Sequence, residues 1–156
     1  MFFSEFDRYA SALADEWERR KGAEQGKRAY SANAWFKREV YKMALHYIAS
    51  GKLKHFEHIV RQDGRTNRLV AEAIKNPFKL ILLAMFADAS PISRQDRNVF
   101  GNQMLFAWAH DVPWDFLNAF LAVSGGPTAV AKKLKLKEAE PGFEHRFIPN
   151  RLVDSG

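Results

Sequence analysis

The chain has 156 residues, 47% of them hydrophobic, with 13 Phe and 4 Trp; that is enough apolar surface to build a core, to exclude a disordered chain and to predict one domain over residues 1–156. It has no cysteine, which excludes a disulfide framework, a thiolate metal site and a cysteine nucleophile, and suits a reducing cytoplasm. With 24 Lys and Arg against 18 Asp and Glu, the formal charge is +6, which favours an anionic partner, either nucleic acid or an acidic protein surface.

The first 20 residues lack both a basic leader and a long apolar run, so they read as a helix rather than a targeting segment. Ser4 followed by Asp7 resembles a capping box. It predicts a helix from Ser4 to about Arg20, with Phe6, Tyr9, Leu13 and Trp17 on its inner face.

Ser31 offers the next cap, and Ser50-Gly51 the next stop. At 100° per residue, Phe36, Val40, Met43 and Tyr47 form a core stripe. Arg38, Tyr41, Lys42 and Leu45 form the opposite one. The second stripe sets cations beside an aromatic ring, so Arg38 and Lys42 are candidates to meet phosphates and Tyr41 to stack on a base. The competing reading is a bundle helix buried on both faces, with Lys and Arg stems laid along apolar neighbours.

A short helix over residues 53–61 ends at Asp63-Gly64. Within it His55 and His58 stand at i and i+3, with His46 and Asp63 as conceivable further metal ligands. No third ligand follows from spacing, so no metal is assigned, and two partly exposed histidines on an amphipathic helix account for the pattern. Their protonation would strengthen binding to a polyanion. Thr66 or Asn67 opens a helix carrying Leu69, Val70, Ala73 and Ile74. Lys52, Lys54, Arg61, Arg65, Arg68 and Lys75 extend the run of cations, and residues 31–76 hold most of the positive excess.

Asn76-Pro77 starts a buried helix, PFKLILLAMFA, too short to cross a membrane. The pairs Ser90-Pro91 and Val112-Pro113 start two more. Phe100, Met104, Ala107 and Trp108 share one face of the first; Trp114, Leu117, Phe120 and Leu121 share one face of the second. His110, Asp111 and Asp115 suggest acid–base chemistry. Without a nucleophile or metal set, Asp111 reads instead as a helix cap.

SGGPTAVAKKLKLKEAEPGF begins like a helix-turn-helix, with Thr128–Leu134 as its supporting helix, Ala131 at the close contact and Leu136 in the turn. Lys135 stands where the turn favours glycine, however, and Pro141 interrupts the recognition helix. The segment reads as a terminal helix with solvated lysines. No phosphate-binding loop is present, although GGPT before a helix offers backbone N–H groups to a lone anion.

The expectation is an all-α bundle of about seven short helices, with residues 141–156 an irregular tail in which RFIPNRLV is the one strand-like run. It is a non-catalytic protein without a cofactor that binds nucleic acid through Arg38, Tyr41, Lys42, Lys52, Lys54, Arg61, Arg65, Arg68, Lys132 and Lys133, largely independently of sequence. The alternative is a protein-interaction module, such as an adaptor, inhibitor or homo-oligomerisation domain, using aromatic anchors.

Overall fold

The computed structural model describes residues 2–24, 30–64, 67–86 and 92–152. All regular structure among them is helical: α1 Phe2–Ala23, α2 Tyr30–Ala49, α3 Leu53–Gln62, α4 Asn67–Ile74, α5 Pro77–Met85, α6 Arg94–Ala109, α7 Leu117–Ser124 and α8 Gly126–Leu136. Short 3-10 turns cover Trp114–Phe116, Glu144–Arg146 and Pro149–Leu152. The bundle is all-α, as expected, with one more helix than the estimate. Residues 146–152 of the run RFIPNRLV are 3-10 turn and irregular chain rather than strand, and Val153 lies outside the described residues.

At the centre lies α5. Phe78, Leu80, Ile81, Leu82, Leu83 and Ala84 are all buried, as a helix that is apolar all round requires, and α2, α3, α4 and α6 pack about it. Its start is pinned by Asn76. The Oδ1 atom accepts the N–H groups of Phe78 and Lys79, while Nδ2 donates to the Gly101 carbonyl of α6. Gly101 allows this close approach, because a Cβ there would overlap the Lys79 stem.

The α2 helix buries two faces. Phe36, Val40, Met43 and Tyr47 are in the core as expected, but so is Tyr41, which lies against Phe78. Trp17 of α1 stacks on Phe36 with ring centroids 4.0 Å apart and donates Nε1–H to Asn33.

Several predicted caps differ. Ser4 lies inside α1, whose buried stripe is Phe6, Ala10, Leu13 and Trp17, with Tyr9 exposed. The Glu24 carboxylate, not Ser31, accepts an orphan N–H of α2, that of Ala32. Ser93 caps α6; Ser90-Pro91 lies outside the described residues. Gly51 and Gly64 end α2 and α3 at φ of +70° and +72°, the left-handed conformation glycine adopts without penalty.

The C-terminal segment is largely irregular yet tied at several points to the end of α6. The Ile148 N–H donates to Ala109 O; Arg146 donates to the carbonyls of His110 and Asp111, and Arg151 to that of Trp108. Carbonyls that a helix end leaves without partners thus receive donors from residues 146–151. Beneath this strap His110 is fully buried. Its Nδ1 donates to Phe106 O and its Nε2 accepts the Glu140 N–H, so the ring is a neutral tautomer.

Candidate nucleic-acid interface

Not all of the residues expected to form a polyanion surface are free to do so. Tyr41 is 0% exposed and its hydroxyl donates to Val112 O at 2.7 Å. Burial pushes its phenol pKa well above the usual value. A ring sealed this way cannot stack on a base, which overturns the role expected of it. The error is one of layer: the face opposite the first core stripe meets the α6–α7 connection instead of solvent.

Lys42 lies over the Trp114 ring, 4.3 Å from its centroid, and Arg38 pairs with the adjacent Glu39 at 3.2 Å. Lys133 is likewise withdrawn. Its ammonium donates to Ser124 O at 3.0 Å and to Glu140 Oε1 at 2.6 Å, a pair that fastens the C-terminal strap to α8. Its expected role as a free phosphate contact is corrected to a structural one.

Lys54 is exposed and Lys52 half-buried at the start of α3, with no ion pair among the described residues. Arg61 and Arg68 face solvent in i,i+4 pairs with Glu57 and Glu72, which hold a cation only weakly. Arg65 lies outside the described residues. Lys132 is exposed on α8.

Other cations do converge. A cleft runs between the directly packed helices α6 and α8 as two adjoining depressions that share Asn98 and Asn102. The first, about 640 Å³, is lined by Arg94, Gln95 and Val99 of α6 and by Pro127, Thr128 and Ala131 of α8. The second, about 500 Å³, is closed by Lys75 and Lys79 from the α4–α5 corner, by Lys135 and Lys137 at the end of α8, and by Leu105, Leu134 and Leu152. Glu72 is the one acid among its lining residues.

Local chemistry places these groups. The Asn76 cap turns α4 into α5 and sets Lys75 and Lys79 on either side of the corner. Lys137, at φ +54°, ends α8 in the left-handed conformation. Arg94, Asn98 and Asn102, at i, i+4 and i+8, make one polar stripe along α6. Lys75, Lys135, Lys137, Asn98 and Asn102 have no side-chain partner among the described residues. Burial lowers the Lys79 pKa, with Glu72 opposing and Arg97 adding to the shift. An anion entering the cleft would therefore be met by a partly desolvated ammonium, at which electrostatic interactions are stronger than in water.

Sequence reading missed Lys79, Asn98 and Asn102. Lys79 is hidden in an apolar run. The signal for the asparagines was their register with Arg94.

The helix-turn-helix is not formed. Ala131 and Leu136 are exposed rather than packed, and beyond Lys137 comes irregular chain instead of a recognition helix. His55 lies against Phe2 and Phe3 and His58 against Phe3, and no group of three His, Asp or Glu fit to hold a metal occurs among the described residues. Nor does Asp111 cap a helix; it adopts φ +51° and pairs with Arg151. No helix among the described residues is long and apolar enough to cross a membrane.

The chain matches no protein-family model, and comparisons with curated proteins and with solved structures give no match.

Proposed function

We propose that this protein binds nucleic acid through the α6–α8 cleft, with Lys75, Lys79, Lys135 and Lys137 neutralising phosphates and little readout of sequence. What supports this reading is the convergence of those four lysines, drawn from two distant stretches of the chain, on one depression with a single acid in its lining. Chain-wide positive charge then has a focus, which diffuse basicity alone lacks.

Four phosphate contacts to a single strand imply a log–log salt slope of about −3, or roughly a 50-fold loss of affinity between 50 and 200 mM salt. Fluorescence-anisotropy titrations of labelled DNA and RNA across that range measure it. K135Q/K137Q should weaken binding and flatten the slope by about 1.4, whereas R38Q/K42Q on α2 should leave both within error. Salt-insensitive binding, or equal effects of the two double variants, would refute the cleft.

A second reading, a self-associating interaction module, rests on a separate observation. Phe116, Ala119, Phe120 and Val123 line an apolar depression of about 360 Å³ with Phe143, and Phe116 and Val123 are 59% and 58% exposed. The α7 sequence LNAFLAVS bears no charge and Arg146 is the one charged residue in the lining, so two copies can oppose a mostly apolar surface here. Light scattering during size-exclusion chromatography decides it: a monomer at all concentrations excludes self-association.

A further inference from the structure

We infer that the cleft takes single-stranded nucleic acid in preference to duplex, with an unpaired base seated among Leu105, Leu134, Asn98 and Asn102. This rests on the reading of the cleft as a nucleic-acid site and goes further by naming the form of the polymer.

Two observations carry it. The first is width. Helices in direct contact, as α6 and α8 are, have axes about 8–10 Å apart. The furrow between them admits a side chain or a flat ring, while a double helix would rest on its rim. A duplex would then reach the outer lysines and leave the interior unfilled.

The second is chemistry. A phosphate track needs cations and hydrogen-bond donors, and it has no use for an apolar wall. Here leucine side chains line the same 500 Å³ depression as the lysines. The Asn98 and Asn102 amides are free of partners among the described residues and are shared with the neighbouring depression. An apolar wall suits the face of a base, and an amide, which both donates and accepts, suits its edge. In a duplex both are hidden by stacking and pairing. Leucine is a weaker platform than an aromatic ring, so the preference should be clear but moderate, and tolerant of base identity. Along α8, 11 residues span about 16 Å, room for a few extended nucleotides.

The test uses the full chain with a labelled thymidine oligomer of about 12 nucleotides, within the span such grooves cover, and its duplex with the adenine complement, at one salt concentration. The expected result is single-strand affinity about tenfold above duplex affinity. N98A/N102A, two changes on the solvent-facing side of α6 within the cleft, should remove most of that advantage by weakening single-strand binding far more than duplex binding; K135Q/K137Q should weaken both. Equal or tighter duplex binding overturns this inference and leaves the phosphate-binding cleft standing, as does a single-strand preference untouched by N98A/N102A. Absence of salt-sensitive binding to either probe overturns the cleft itself. Circular dichroism confirms that each variant is folded.

Discussion

His110 and Glu140 are joined across 30 residues by a hydrogen bond in which imidazole Nε2 accepts the Glu140 backbone N–H at 2.9 Å. Protonating Nε2 would set two N–H groups against each other in a buried site. Burial accordingly lowers the His110 pKa, the Phe106 carbonyl and the Glu140 carboxylate opposing and the nearby Lys133 and Arg146 contributing to the shift. The unfolded chain, with a histidine pKa of about 6.5, then binds more protons than the folded one in the window below that value. Stability from this group is complete above pH 6.5 and declines as pH falls through the window, by at most about 1.4 kcal/mol per pH unit. Denaturant unfolding at about pH 7.5 and pH 5.5 should show this loss. H110F should be less stable at the higher pH by about 2–4 kcal/mol, because two buried polar partners are orphaned, and should show a smaller loss between the two.

Tyr41→Phe removes the hydroxyl that serves the Val112 carbonyl and keeps the packing. It should destabilise the fold by about 1–2 kcal/mol and leave nucleic-acid affinity unchanged. A binding defect without a stability defect would return Tyr41 to the interface.

Lys133 and Glu140 form a largely buried pair, with the carboxylate side chain only 6% exposed. Removing either partner leaves the other poorly compensated. K133M and E140Q should each cost about 2–3 kcal/mol in chemical denaturation. The double variant should cost less than their sum, by about 1–2 kcal/mol of coupling. Strict additivity would mean that the strap is held without this pair.

Gly101→Ala gains helix propensity but places a methyl group on the Lys79 stem. Overpacking of this kind typically costs about 1–3 kcal/mol, more than the roughly 1 kcal/mol of propensity gained. The variant should be slightly less stable. By displacing Lys79 it should also weaken nucleic-acid binding severalfold. Unaltered affinity would remove Lys79 from the binding groups.

The helices were legible where their ends are local chemistry. Gly51, Gly64 and Asn76-Pro77 act within a few residues of themselves, and each is where the sequence placed it. Layering was not legible. Periodicity found two stripes on α2, but only the connection carrying Val112, 71 residues downstream of Tyr41, decides that the second stripe is covered. Arg146 and Arg151 serve the end of α6 through contacts of 35 to 43 residues in sequence separation, which no local pattern announces. The cleft was hidden for the same reason. Lys79 and Asn102 are unremarkable in their own helices, and they meet only because α5 and α6 are drawn together at Asn76 and Gly101.

The pocket that holds Lys75, Lys79, Lys135 and Lys137 also takes a wall from Leu152, so its lining is contributed by stretches spread over half the polypeptide. Proteolytic fragments that retain all four cations but end before Leu152 would carry the charge without the enclosure. Ligand affinity in such truncations should fall, which makes binding an assay for the seating of the C-terminal turn.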